Sequence, residues 1–268
     1  MASSSDPGVR GFIPPQNDGE RFLMHRVQEL CAVAQSRGIP RSTGFLSDRE
    51  QVLASAAMNR ENCTYGRFWG GWDHAERKVL CLEPPDTWPV EPVAAVRLTA
   101  LNAQPPRVPG HREYLGSILG LGLDRACLGD ILPDPRDPSV MYAFVLEDKL
   151  DFLAQELHQA GSWSVRAERC ENVPEYVLAC PEREFHDTTV SSLRADAVLA
   201  AMMHTSRTLA AQAISGGRVE INHLPLRSAS ETVYAGDLFT VRGAGRWRVQ
   251  EVGGTSRKGR LFITYFQY

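Results

Sequence analysis

The sequence contains no apolar stretch that approaches the roughly 20 uninterrupted residues of a membrane-spanning helix. Its first residues, Met1 to Arg10, lack the apolar core of a secretory signal. We therefore expect a cytoplasmic protein with no membrane partner.

Cysteine pairs with metal-ligand spacing are also missing. The two closest cysteines, Cys170 and Cys180, are 10 residues apart, so neighbouring thiols cannot build a zinc ribbon. His186-Asp187 and His204 have no companion ligands at a suitable spacing. We expect no metal site, and isolated thiols in a chain of this size are typical of buried cysteines in a cytosolic protein.

Signatures of catalysis and of small-molecule binding are equally scarce. The glycines at 116, 120 and 122 do not form the Gly-x-Gly-x-x-Gly cradle of dinucleotides, so no dinucleotide site is indicated. We expect no cofactor and no small-molecule substrate. Asp73, His74 and Glu76 follow a Gly-Gly turn and have no partner motif. A turn followed by a solvated strand edge is the simpler interpretation of that cluster, and we expect no catalytic residue.

The two signs of charge are unevenly distributed between the two parts of the chain. From Val190 onwards there are ten basic and five acidic residues, a net charge of +5. The preceding part has 19 basic and 27 acidic residues, a net charge of −8. The basic end is therefore the candidate for binding a polyanion, and the acidic front part is a candidate for binding protein.

A length of 268 residues predicts about two compact units, and the composition is that of an ordinary globular protein. Apolar spacing predicts a helix over 18–37. Ser47 and Glu50 form a capping-box pattern that predicts a second helix. Strand-like pieces follow at Phe68-Trp69 and Val79–Leu82.

The middle of the chain has the most regular pattern, and it predicts the order β-α-β-β-α-β of ferredoxin-like and RNA-recognition folds. The predicted strands are 96–100, 126–132, 140–146 and 163–167, and the predicted helices are 114–119 and 150–157. Tyr142 and Phe144 point to the same side of the third strand, a partial match to the strand on which RNA-recognition motifs stack bases. Packing in a core or between domains is the favoured interpretation of this pair.

The last part follows a polar, acidic link over 181–189. Ser191-Ser192 is a candidate cap for one short helix, and Thr205 or Ser206 for a second that ends at Gly216-Gly217. Strand-like pieces follow at 219–221 and 238–241. The sequence thus predicts an α+β protein with an N-terminal α/β domain (1–88), a ferredoxin-like (RRM-like) domain (89–180) and a C-terminal domain (190–268).

The start of that second helix is the candidate anion site. The dipole of the helix, its free N–H groups and the Arg207 guanidinium would face one place, and a phosphate fits there. Arg194 and Arg218 are candidates to flank it. The alternative is a solvated basic face.

This part of the chain resembles the S4-type RNA-binding domain. The matching residues are Arg194-Ala195-Asp196-Ala197-Val198-Leu199, Ser206-Arg207, Ala210, Ile214, Gly217, Val219, Ile221-Asn222 and Gly236-Asp237-Leu238-Phe239-Thr240-Val241-Arg242. The resemblance implies that Asp196, Gly236 and Asp237 are mainly architectural. The expected RNA-binding residues are Arg194, Ser206, Arg207, Arg218, Asn222, His223, Arg242, Arg246, Arg257 and Lys258.

Further motifs resemble the bacterial YlmH-type proteins over nearly the whole chain. They include Phe45–Gln51, Gly70–Lys78, His111–Gly116, Gly129–Ile131, Gly243–Trp247 and Thr255–Arg260. This resemblance implies the same three-part plan, binding of ribosomal RNA and tRNA on the large ribosomal subunit, and a role in rescuing obstructed subunits. It implies a non-catalytic factor.

An alternative is an RNA-modifying enzyme that uses the S4-like module for docking, as pseudouridine synthases do. Such an enzyme needs a catalytic Asp in an Arg-Leu-Asp type motif, and none precedes Val190.

Overall fold

A computed structural model describes residues 10–102, 107–179 and 183–268. The chain forms two compact units. One comprises residues 14–180, and the other combines residues 181–268 with the start of the chain up to Ile13. Within the described ranges, no helix is long and apolar enough to cross a membrane.

The first part of the 14–180 unit is a small antiparallel sheet with two helices. Its elements are α1 (Asp18–Arg37), β1 (Arg41–Leu46), α2 (Asp48–Arg60), β2 (Gly66–Trp69) and β3 (Lys78–Leu82), with the strand order β1-β3-β2. The predicted bounds of α1 are confirmed: Asn17 caps its start, and Gly38 ends it at a φ of +62°. The predicted capping box of α2 is also confirmed, since the Ser47 N–H donates to the Glu50 carboxylate at 2.7 Å.

The second part of this unit has the predicted β-α-β-β-α-β order. Its elements are β4 (Val93–Ala100), α3 (His111–Gly120), β5 (Leu128–Pro133), β6 (Val140–Leu146), α4 (Leu150–Glu156), β7 (Gln159–Ala160), β8 (Trp163–Cys170) and α5 (Glu175–Leu178). The strand order is β5-β6-β4-β8-β7, and all pairs are antiparallel. The strand predicted from residue 126 begins at Leu128, because Arg125–Cys127 forms a single 3-10 turn.

The two aromatic residues of β6 are buried, which confirms the packing interpretation and makes the base-stacking one wrong. Tyr142 is 3% exposed and Phe144 is 2% exposed. Helices α3 and α4 cover the other face of the sheet. Phe144 packs with Phe45 and Trp72 of the first part of the unit. The approach is so close that a Cβ on Gly71 would lie 2.3 Å from the Phe144 ring.

A polar network joins the same two parts. The Asp130 carboxylate accepts from the Trp72 indole at 3.1 Å and from the Glu76 N–H at 2.8 Å. The Arg77 guanidinium donates to the carbonyl oxygens of Leu128 and Phe45 at 3.0 and 2.9 Å. Burial lowers the pKa of Arg77. The Gly70–Lys78 motif is therefore architectural, and the strand after its turn is the buried central strand β3 instead of the predicted solvated edge.

The three predicted domain boundaries stay a prediction. Each part of the 14–180 unit has a core of its own, and the cluster around Phe144 forms a further core between them. Cys31, Cys63 and Cys81 are buried, Cys127 and Cys170 are half-buried, and Cys180 lies outside the described residues.

The second unit consists of two helices on a six-stranded antiparallel sheet. Its elements are β9 (Phe185–Val190), α6 (Ala195–Met202), α7 (Arg207–Ser215), β10 (Val219–Ile221), β11 (Leu224–Pro225), β12 (Leu238–Val241), β13 (Gly245–Thr255) and β14 (Leu261–Gln267). The strand order is β11-β10-β12-β13-β14-β9. The core contains Val198, Leu199, Ile214, Phe239 and Trp247.

Two sequence predictions for this unit are wrong. The predicted link over 181–189 forms strand β9 from Phe185 onwards, because each of its residues pairs with β14. Helix α6 begins at Ala195 and is not capped by Ser191-Ser192. Instead, carbonyl oxygens of a distant loop accept from its first N–H groups, Glu231 from Ala195 and Ala229 from Asp196.

Arg10 connects the start of the chain to this unit. Its Nε donates to Asp237 Oδ1 at 2.8 Å and its Nη1 to Glu231 Oε1 at 2.8 Å. Its Nη2 donates to the Thr232 carbonyl at 2.8 Å and to the second Asp237 oxygen at 3.0 Å. The guanidinium carbon lies 5.3 Å from the centre of the Tyr234 ring. We name this set of contacts the Arg10 clamp.

We expect Arg10→Ala to lower the free energy of unfolding of the second unit by about 3 kcal/mol, because it leaves the Asp237 carboxylate buried without its cation. Hydrogen exchange of the slowest amides in β10 and β12 measures this change. The control is Arg21→Ala, whose partner Asp18 has a fully exposed side chain (99%). This variant should lose at most a few tenths of a kcal/mol. Equal, small effects of both substitutions would show that the clamp does not stabilise the unit.

Candidate nucleic-acid interface

Two arginines meet at one carboxylate where α6 and α7 begin. Arg194 is the N-cap residue of α6, and its Nη2 donates to Asp196 Oδ2 at 3.2 Å. Arg207 is the first residue of α7, and its Nη2 donates to both Asp196 oxygens at 3.0 and 2.9 Å. The Asp196 carboxylate is thus held between two guanidinium groups from different helices. We name these three residues the arginine bridge.

The electrostatics of the bridge leave one positive charge in excess. Burial by itself would raise the pKa of Asp196, but the hydrogen bonds from Arg194 and Arg207 outweigh it and lower that pKa. Asp196 is therefore ionised at neutral pH. The side chains of Arg194 and Arg207 remain 44% and 52% exposed, so each guanidinium has donors that face solvent.

The start of α7 adds a second positive feature to the same place. As predicted, Ser206 is its N-cap residue: the hydroxyl oxygen accepts from the Leu209 N–H at 3.2 Å. The N–H groups of Arg207 and Thr208 precede the first helical hydrogen bond and carry the positive end of the helix dipole. Free N–H groups and the positive end of a helix dipole beside two guanidinium groups form an arrangement that attracts an anion. The Ser206 hydroxyl is engaged in the cap of α7, so Ser206 holds the helix start in place.

Arg218 does not flank this point, contrary to the sequence prediction. It follows the C-terminal end of α7, about 13 Å along the helix axis from Arg207. There its carbonyl accepts from the Arg242 N–H at 2.9 Å, and both side chains are exposed. Arg218 and Arg242 therefore form a second basic pair at the other end of the helix.

Asn222 and His223 form the two-residue turn between β10 and β11. Their φ angles are +49° and +64°, the pattern of a type I′ turn. The Asn222 amide donates to Asp237 at 2.7 Å and its oxygen accepts from the Leu238 N–H at 2.9 Å. Its side chain is thus engaged inside the unit, which corrects the expectation that it faces RNA.

The remaining predicted residues lie on the long hairpin of β13 and β14. Arg257 and Lys258 are exposed in the turn between these strands. Arg246 lies on β13, and its guanidinium carbon is 4.4 Å from the centre of the Tyr268 ring. The sequence reasoning missed Arg10 and Arg248, which lie outside the matched motifs.

No group of three or more His, Cys, Asp and Glu residues within the described ranges could hold a metal ion. At the arginine bridge, the two guanidinium groups offer hydrogen-bond donors and positive charge to an anion.

Comparison with family models gives two matches. Residues 109–173 match the model described as a putative RNA-binding domain in YlmH, and residues 193–239 match the S4 domain. The second match covers the arginine bridge, helix α7 and the turn at Asn222.

Comparison with individual proteins gives a relative along nearly the full length. The ribosome-associated protein quality control protein P2 of Bacillus subtilis is 32% identical over 249 residues, which is 92% of this chain and 94% of the relative. Among solved structures, the cell division protein YlmH from Streptococcus pneumoniae is 17% identical with a TM-score of 0.49. The match covers 60% of this chain and 96% of that one.

We expect Asp196→Asn to lower the stability of the second unit at pH 7 by about 1–2 kcal/mol, because it weakens hydrogen bonds that are charge-assisted. The lowered pKa of Asp196 means that its stabilisation is complete above the ordinary aspartate pKa of about 3.9 and is lost as the pH falls through the lower value in the fold. The difference between the variant and the parent protein should therefore become smaller as the pH is lowered below about 3.9.

Urea unfolding at pH 7 and at pH 2 measures both effects. Asp73→Asn, which removes an exposed carboxylate, is the matched control and should change neither value. A difference between Asp196→Asn and the parent that stays the same at both pH values would contradict the ion-pair assignment.

Proposed function

We propose that this chain, which belongs to the family of YlmH-type proteins with an S4 domain, is a non-catalytic RNA-binding factor of the ribosome. The observation that carries the proposal is the arginine bridge. Two half-exposed guanidinium groups share one carboxylate at the start of a helix, and their excess charge and solvent-facing donors suit a phosphate group.

In this proposal the basic residues act at three places of the second unit. Arg194 and Arg207 bind one phosphate group at the start of α7. Arg218 and Arg242 bind a further phosphate beyond the end of α7, and Arg257 and Lys258 extend the basic surface on the β13–β14 turn. Ser206 and Asn222 hold the helix start and the hairpin turn in shape. Contacts of this kind fix where the RNA backbone lies without reading its sequence.

The RNA that we propose is ribosomal RNA of the large subunit together with tRNA, in quality control of obstructed subunits in the cytoplasm. The name of the Bacillus subtilis relative supports an association with the ribosome in quality control. The +5 charge of the chain from Val190 onwards supports contact with a polyanion.

We expect the double variant Arg194→Gln, Arg207→Gln to bind large ribosomal subunits about tenfold more weakly at 0.1 M salt. Glutamine keeps a hydrogen-bond donor near Asp196 and removes the charge. The slope of log affinity against log salt should fall by about two, since two phosphate contacts are lost. Co-sedimentation with separated large and small subunits across a salt series measures affinity, slope and subunit preference.

The matched control is Arg37→Gln, Arg60→Gln, which removes two exposed guanidinium groups from the helices of the first unit. It changes the net charge equally and should leave binding unchanged. Equal losses in the two double variants would contradict the site assignment. Binding confined to the small subunit would contradict the proposed partner.

An RNA-modifying activity is the rival function, and we expect none. Nucleoside analysis by mass spectrometry, after ribosomal RNA and tRNA are incubated with the purified protein, should show the same nucleosides as RNA incubated without it. A new modified nucleoside would overturn the non-catalytic part of the proposal.

A further inference from the structure

The outer face of the six-stranded sheet bears a row of aromatic rings that are not part of the hydrophobic core of the unit. The core lies on the other face, with Ile263 and Tyr265 of β14 turned toward it. Alternation along the strand places Phe266 on the outer face, where it pairs with Phe185 of β9 and Arg248 of β13. Tyr268 lies two residues after Phe266, and its N–H donates to the Arg246 carbonyl at 3.0 Å. We name Phe185, Phe266 and Tyr268 the aromatic row.

The rings of the row contact one another. The centres of the Phe185 and Phe266 rings are 5.7 Å apart at an angle of 81°, and those of Phe266 and Tyr268 are 5.2 Å apart at 50°. Phe266 is buried beneath its neighbours, whereas Phe185 is 53% exposed and Tyr268 is 46% exposed. The row therefore has a buried centre and two ends that present ring surface to solvent.

Three guanidinium groups surround the row. Arg183 lies over Phe266 at 4.6 Å and Arg246 over Tyr268 at 4.4 Å, measured from the guanidinium carbon to the ring centre. Arg248 Nε donates to the Tyr268 hydroxyl at 2.9 Å. Asp187 on this face accepts from the Thr264 hydroxyl at 2.6 Å, and Glu251 of β13 pairs with Thr264. Exposed aromatic surface is thus combined with three guanidinium groups that contact the row.

We propose that the aromatic row binds an unpaired segment of RNA, with bases stacked on Phe185 and Tyr268 and phosphates held by the surrounding arginines. A single-stranded nucleic acid presents a flat ring and an anion in each repeating unit, which matches rings interleaved with guanidinium groups. A duplex keeps its bases stacked on one another and offers only its phosphates and groove edges. This inference rests on the proposed RNA-binding function and adds a second surface, outside the 193–239 match to the S4 domain.

The test compares three synthetic probes with the full chain: a 12-nucleotide oligo(U), an abasic oligomer of the same length, and a blunt RNA hairpin with a similar number of phosphates. We expect Phe185→Leu and Tyr268→Leu each to weaken oligo(U) binding about tenfold, because each removes one stacking surface. Hairpin binding should be unchanged. The parent protein should bind the abasic oligomer more weakly than either single variant binds oligo(U), because an abasic oligomer stacks on neither ring.

The control is Phe22→Leu, which removes an exposed ring from α1 and should change none of the three affinities. Thermal melting establishes that each variant is folded. If the variants bind oligo(U) as well as the parent does, the row serves another partner, such as a protein, and the proposal is overturned. Equal losses for oligo(U) and the hairpin would also overturn it, because the rings would then act without base stacking.

These results separate the two proposals. Parent protein that binds the hairpin but does not prefer oligo(U) over the abasic oligomer would contradict the aromatic row alone. Parent protein that binds no RNA probe would contradict the proposed function as well.

Discussion

The buried carboxylate of Asp237 is the constraint around which the second unit is organised. Asp237 is 1% exposed, and an ionised group at that depth costs several kcal/mol unless charge and hydrogen bonds compensate it. The compensation comes from Arg10, from the Asn222 amide and from the Tyr234 N–H. One side chain thus fixes the β10–β11 turn, the approach to β12 and the start of the chain. Each of these partners lies on a different segment, so the carboxylate determines how the segments meet.

Asp196 is also compensated by arginine side chains, but these arginines are more exposed than Arg10. The Arg10 side chain, at 16% exposure, has its donors engaged by two acids and a carbonyl. The arginines at Asp196 are about three times as exposed and share a single carboxylate. Arg10 therefore stabilises the fold. Asp196 positions Arg194 and Arg207, and these two arginines keep hydrogen-bond donors for a ligand. The number of partners around each guanidinium separates a structural arginine from a candidate phosphate ligand.

Local chemistry explains which parts of this structure the sequence predicts. Helix α1 and the capping box of α2 depend on residues within a few positions of one another, and both are as predicted. Strand β9 was missed because its polar residues become a strand only by pairing with β14, more than 70 residues later. The start of α6 was misplaced because its cap is a loop over 30 residues away. The sequence predicts that Arg194 and Arg207 lie near one another, but only the fold shows that the Asp196 carboxylate joins them.

Burial decides which aromatic residues can contact a ligand, and sequence spacing does not reveal it. Tyr142 and Phe144 alternate along one strand, as in an RNA-recognition motif, yet both are sealed inside the first unit. The rings of the aromatic row come from segments about 80 residues apart, and only sheet pairing brings them together. An exposed ring costs little when guanidinium groups lie against it, since they shield part of the apolar surface and add cation–π attraction. The outer face of the basic unit can therefore keep the Tyr268 ring half-exposed to water beside Arg246 and Arg248, where a neutral surface would bury it.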